Sequence, residues 1–183
     1  MLAGNTTWNP WEPQGAYDAL STVTVPSGGV ASVTFTGIPQ GYKHLQVRIL
    51  AATTTAAGDG AYFNIRFNSD SGSNYSYHDL FGNGASVTAS GLANQTAIYG
   101  QRISELNLTN IFGGVIMDIL DYGSVNKNKT LRSLGGYDAN GSGSIYEVSG
   151  AWYNSSTAIN SITFTPDANS FAQYSQFTLY GVR

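Results

Sequence analysis

Asn160-Ser-Ile-Thr-Phe-Thr-Pro-Asp-Ala-Asn-Ser-Phe-Ala-Gln-Tyr-Ser-Gln-Phe-Thr-Leu-Tyr-Gly-Val182 is the stretch whose reading decides the fold. It predicts two β-strands, 160–165 and 173–182, joined by a turn around Pro166-Asp167-Ala168-Asn169. Ile162 and Phe164, then Phe177 and Leu179, recur every second residue, the spacing that places them on one buried face of a strand. A strand that runs almost to the last residue needs sheet neighbours to hold it.

Working back from the tail, the same period of two recurs in short pieces. Val23/Val25, Val33/Phe35, Leu45/Val47/Ile49, Phe63/Ile65/Phe67 and Val115/Met117/Ile119 all show it. About nine or ten strands are expected. Turn chemistry separates them at Pro26-Ser-Gly-Gly29, Gly37-Ile-Pro-Gln-Gly41, Gly58-Asp-Gly60, Ser69-Asp-Ser-Gly-Ser73, Gly82-Asn-Gly84, Gly113-Gly114 and Asp138-Ala-Asn-Gly-Ser-Gly143. Gly and Asn accept positive φ there, and Asp and Ser side chains satisfy nearby backbone amides. The segment 85–96 is rich in Ser, Thr and Gly with no sustained apolar stripe, and reads as a long loop with one helical turn at most.

Short strands with no alternating helices predict an all-β fold: an antiparallel two-sheet β-sandwich, jelly-roll-like, with an immunoglobulin-like sandwich as the runner-up. The 183 residues suffice for one such domain. Residues 21–183 are assigned to it and residues 1–20 to an extended N-terminal arm. The arm holds Trp8, Pro10, Trp11 and Pro13 without strand or helix period. Prolines keep such a segment extended, and two tryptophans in it need a surface, either the chain's own sandwich or a partner. The strand 115–121 is apolar on both faces, which places it centrally or at a subunit contact; Val115, Ile116 and Met117 are the candidate oligomer-interface residues.

Composition narrows the chemistry. Charged residues make up 10% of the chain against about a quarter in ordinary globular proteins, so solubility rests on hydroxyls and amides. Eight Lys plus Arg against eleven Asp plus Glu give a net charge of −3, with no basic cluster longer than Lys127-Asn128-Lys129, which disfavours nucleic-acid binding and an anionic membrane surface. With no cysteine, disulfides, thiolate metal sites and a Cys nucleophile are excluded. The N-terminus shows no secretory signal and no stretch approaches a membrane span, so synthesis in a cytosol is expected.

Neither histidine forms a catalytic constellation. His44 falls on the phase opposite Leu45, Val47 and Ile49, and so should face solvent. His78 and Asp79 are adjacent in a strand and should point to opposite faces, which argues against a Ser-His-Asp triad around Ser76. Asp118 and Asp121 bracket a strand end and read as solvated acids rather than paired glycosidase carboxylates. Asn68–Asn74 and Asp138–Asn140 are oxygen-rich, but they lack the distal Glu of a calcium loop and read as turn-stabilising side chains. No enzyme activity, cofactor or metal is called for. The twelve tyrosines can fill a β core, build interfaces or bind sugars, and glycan contact, if any, is expected at exposed tyrosines near Tyr75 and Tyr77.

Four blocks carry a family resemblance: Ala31–Ile49, Ile65–His78, Ile119–Arg132 and the tail from Ser149 to Val182. They resemble blocks of small virion structural proteins of tailed bacteriophages, cyanophages among them, of the capsid-decoration, head-fibre or tail-fibre kind. The resemblance implies a particle component and brings no catalytic residues with it. With only about twenty residues ahead of the domain and no shaft, the chain is similar to compact decoration (cement) proteins. That reading implies a homotrimer on the capsid surface, synthesised in the host cytoplasm, with the major capsid protein as partner. The alternative is a tail-fibre or receptor-binding module recognising surface glycans.

Overall fold

The computed structural model describes residues 15–55, 60–105, 108 and 110–183. Among them every regular element is a strand: β1 (Tyr17–Thr24), β2 (Val33–Phe35), β3 (His44–Thr53), β4 (Ala61–Phe67), β5 (Tyr75–Gly82), β6 (Val87–Gln95), β7 (Ile98–Glu105), β8 (Gly113–Leu120), β9 (Lys129–Ala139), β10 (Ser142–Trp152), β11 (Ile162–Pro166) and β12 (Gln176–Val182). The all-β expectation therefore holds, with twelve strands in place of nine or ten.

Eight strands run antiparallel in the order β1-β12-β3-β8-β9-β10-β5-β6, and four more in the order β2-β11-β4-β7. The expected pair of separate antiparallel sheets does not appear. Beyond its pairing with β12 and β8, β3 continues for two residues beside β7, in parallel, with Ala52 opposite Ser104 and Thr53 opposite Glu105. Hydrogen bonding thus runs unbroken through one open, mixed sheet. A strand long enough to serve two neighbourhoods makes such a corner.

The tail strands show why connection and pairing differ. β11 and β12 follow one another in sequence, yet β11 pairs with β2 and β4 while β12 pairs with β1 and β3. Their apolar residues meet side chain to side chain instead: the Phe164 and Phe177 rings lie 5.5 Å apart, and Phe171, between the two strands, lies 4.8 Å from Phe177. Phe164 also touches Phe35 and Phe63. The four-strand run accordingly lies over the β12 end of the eight-strand run and shares one core with it.

Alternation is clearest where both runs meet. In β4, Phe63, Ile65 and Phe67 are fully buried while Tyr62, Asn64 and Arg66 are half-exposed. A second aromatic group, Phe67, Tyr75 and Trp152, closes the far side of the core, with the Trp152 indole donating to Asp70 at 2.7 Å. Lys129 is fully buried beside it. Its ammonium donates to the carbonyls of Lys127 and Asn154, and burial lowers its pKa.

Two turns illustrate local causes. Asn68 adopts φ 51°, and its side chain donates to Ala158 O and accepts from the Asn160 and Ser161 amides, tying the β4 end to the segment before β11. Gly141, at φ +99°, sits in the tight β9–β10 connection, where the Asp138 carboxylate accepts from the Asn140 amide. Segment 85–96 departs from expectation. It forms β6, an edge strand exposed along nearly its whole length and paired only with β5. Gly113-Gly114 opens β8 rather than breaking the chain.

Candidate binding cleft

The eight-strand run extends further than the four-strand run covers it. Past β10, the inward side of β5 and β6 faces an open cleft of about 350 Å³. Tyr77, Asp79 and Phe81 of β5, and Thr88 and Ser90 of β6, point into it by strand alternation, joined by Tyr146 of β10. Tyr62 of β4 and Tyr99 of β7 form the opposite wall.

The rings are ordered. Tyr62 and Tyr99 have centroids 4.9 Å apart at 32°, and Tyr77 stacks on Tyr99 at 6.0 Å and 22°. Tyr146 meets Tyr62 edge-on at 5.6 Å. Asp79 accepts a hydrogen bond from the Ser90 hydroxyl at 2.8 Å and another from the Tyr146 hydroxyl. Burial, then this bond to the Asp79 carboxylate, raises the Tyr146 pKa far above the ordinary value. Burial also pushes Tyr99 up to about 12, with the charge of Asp167 adding to it, while Asp167 is itself raised by burial. Tyr77 is raised by burial and then by Asp79. At neutral pH Tyr77, Tyr99 and Tyr146 keep their hydroxyl protons, and the Asp79 side chain accepts from Ser90 and Tyr146.

Arg102 stands behind the wall. Its guanidinium lies 5.3 Å from the Tyr62 ring and 4.7 Å from the Phe81 ring, and the side chain lines a neighbouring cavity of about 400 Å³. A wider depression of about 650 Å³ lies between the tips of the β5–β6 and β9–β10 hairpins, walled mostly by Gly, Ser and Asn. It offers a ligand little side-chain surface.

The outward side of the eight-strand run is a second distinct surface. Ile116 of β8 and Leu134 of β9 are opposite each other and 51% and 53% exposed. Leu50, Leu80 and Ile145 add to the same side. Asp118 faces Arg132 one pair along, and also accepts from Gln46 at 2.9 Å.

Of the residues singled out from sequence, Trp8, Pro10, Trp11 and Pro13 lie outside the described residues. β1 begins at Tyr17, so the last residues allotted to the arm are already paired with β12, Tyr17 opposite Val182. The doubly apolar strand resolves into two faces: Val115 and Met117 are buried in the core, and Ile116 alone of the three is exposed. Buried side chains cannot meet another subunit without opening the sheet, and the exposed large apolar side chains of β8 are Ile116 and Leu120. Tyr75 is fully buried, its hydroxyl bonded to the Phe67 amide and the Asp70 carbonyl, whereas Tyr77 reaches the cleft.

His78 is exposed on the outer face and Asp79 points inward, as alternation requires. His44 is half-buried rather than free, because its Nδ1 accepts from the Asp121 amide at 2.9 Å. Asp70 is occupied by the Gly72 amide, Asn74 and Trp152, the turn-stabilising arrangement expected of it. Among the described residues no three His, Asp or Glu side chains gather as metal ligands, and no helix is long and apolar enough to cross a membrane. Sequence reasoning missed Tyr62, Tyr99 and Tyr146 as partners of Tyr77. Only the abundance of tyrosine pointed toward such a site.

Comparisons with protein-family models, with curated proteins and with solved structures return no match to this chain.

Proposed function

We propose that this chain is a bacteriophage virion structural protein, a capsid decoration (cement) protein of jelly-roll-like sandwich build that binds the major capsid shell and stabilises it. The sequence blocks that resemble phage virion proteins supply the particle assignment. The observation that carries the protein-contact role is the outward face of the eight-strand run. There Leu50, Ile116, Leu134, Leu80 and Ile145 stand exposed among charges of both signs, Arg48, Asp118, Arg132 and Glu147. Aliphatic side chains clustered on one sheet face cost free energy in water and favour burial against protein. Interspersed charges of both signs let that face pair with a different, mixed-charge patch of a neighbouring subunit. Self-association as a trimer uses this surface, and Trp8 and Trp11, ahead of β1, grip the shell.

Sedimentation equilibrium of the purified chain should give a trimer, and Ile116→Asp should give a folded monomer, since an exposed site tolerates the charge while an apolar contact does not. On particles, replacing Trp8 and Trp11 by Ala should remove contacts worth about 2–4 kcal/mol each and strip the protein from the shell. Quantitative mass spectrometry beside a cryo-EM map reads the copy number and location. A monomeric wild type, or a few copies confined to the tail, would overturn the reading.

A further inference from the structure

We infer that the cavity beside Arg102, bounded by β7 and the tips of the β5–β6 and β9–β10 hairpins, binds a small organic monocarboxylate. The inference stands apart from the particle assignment, which its failure would leave untouched.

Arg102 is a buried cation without an anion. It is only 9% exposed, and a guanidinium so deeply buried is ordinarily paired with a carboxylate. The ion pairs of the described residues belong instead to His44, Lys127 and Arg183. The Arg102 Nε, closed off from water, has no hydrogen-bond partner. The Tyr62 and Phe81 rings, 5.3 and 4.7 Å from the guanidinium carbon, attract its charge. Ring faces do not satisfy N–H donors that radiate in the plane of the guanidinium, so the in-plane edge still lacks an acceptor. Nε itself packs toward Gly60, where a Cβ would come within 2.8 Å of it. That leaves the two Nη nitrogens for a ligand, and the side chain lines a cavity of about 400 Å³ in which one can sit.

The other walls define the anion. Among the described lining residues Arg102 is the sole formal charge, and no carboxylate competes for it there. Asn83 adds a second donor: its amide oxygen is held by the Ala85 and Ser86 amides at 3.0 and 2.8 Å, which leaves the NH2 end for a ligand. Asp79 and Asp138 line the two adjoining hollows, so one negative charge is matched by Arg102 while a second meets repulsion. A carboxylate accepts two guanidinium N–H bonds side by side and carries a single charge. Phe81 and Leu108 supply an apolar wall for a hydrocarbon body behind it. The volume lies within the range of small-molecule sites, about 300–1,000 Å³.

The test is isothermal titration calorimetry of the full chain with benzoate and hexanoate. Benzamide serves as the uncharged counterpart of benzoate, and inorganic phosphate as the more highly charged anion. At least one of the two carboxylates should bind saturably at millimolar concentration, benzamide should not bind, and phosphate should bind more weakly. Asn83→Asp keeps the oxygen that caps the turn but replaces the NH2 donor with a carboxylate oxygen, at an exposed position. It should weaken binding at least about tenfold while circular dichroism stays unchanged. Arg102→Met, an apolar chain in place of an unpaired buried charge, should abolish binding. Should Arg102→Met fail to fold, Asn83→Asp carries the decision alone. Absence of binding by both carboxylates, equal binding of benzamide, tighter binding of phosphate, or binding indifferent to Asn83→Asp would each overturn the inference.

Discussion

The two ends of the eight-strand run follow different rules. At the β12–β3 end, Phe177, Leu179, Val47 and Ile49 belong to the core shared with β11 and β4; β12 alternates along its whole length between buried and more exposed residues, and β3 does so from Val47 to Ala51. At the β5–β6 end the four-strand run no longer covers the sheet, and β6 is exposed from Val87 to Asn94 on both sides. Both ends are hydrogen-bonded ladders. The difference teaches that alternation in a sequence records whether a strand has a cover, not whether it is a strand. Where the cover stops, an open cleft takes its place.

Alkaline pH should produce the largest effect, since it acts on several buried tyrosines together. Tyr75 and Tyr99 are pushed up to about 12 from an ordinary 10.0, in both cases first by burial, and Tyr146 is raised further. The folded chain therefore holds protons that the unfolded chain releases. The resulting stabilisation is complete below about pH 10 and is lost as pH rises toward 12. Urea midpoints followed by circular dichroism should be level up to about pH 9 and fall steadily above about 10. Tyr75→Phe removes the share belonging to the covered aromatic group, and Tyr99→Phe the share belonging to the cleft. A midpoint unchanged at pH 11 would contradict the burial assigned to these rings.

Phe164→Ala breaks the covered end directly. Its ring contacts Phe35, Phe63 and Phe177, and truncation should cost about 3–5 kcal/mol in urea denaturation. A cost below about 1 kcal/mol would mean that the two runs do not share a core.

The two glycines Gly181 and Gly91 sharpen the comparison. A Cβ at Gly181 would fall 2.4 Å from the Tyr42 ring, so Gly181→Ala should destabilise by about 1–3 kcal/mol. The nearest atoms to a Cβ at Gly91 belong to the His78 ring, at 2.5 Å, and that side chain is exposed and can swing away. Gly91→Ala, the smallest effect, should stay within about 0.5 kcal/mol, measured by the same denaturation curves. Equal costs at the two sites would erase the distinction between the ends.

Legibility followed the same division. β3, β4, β8, β11 and β12 were readable because each buries alternate apolar residues, and Asn68 and Gly141 because turns demand their backbone freedom. β6 was not, since a strand without a covered face needs no apolar residue; Ser, Thr, Ala and Gly serve it equally well. The apolar run in β8 overstated its contact surface because pattern alone does not say which face has a cover. Val115 and Met117 belong to the core and only Ile116 among the three to the surface. The cleft was legible least. It gathers Tyr62, Tyr77, Tyr99 and Tyr146 from four strands, and their meeting depends on the corner that β3 makes with β7, a pairing of two residues with no sequence signature.

β1 and β12 place Tyr17 beside Val182, and Arg183 closes the corner with a 2.6 Å ion pair to Asp18. The ends of the folded unit are therefore neighbours. A short linker from Arg183 to residue 15 would bridge them, and new termini could be cut at the exposed β9–β10 tip between Asn140 and Gly141, leaving every ladder intact. Circular permutation thus offers a way to move the ends of the folded unit to the opposite hairpin, and with them any fused cargo.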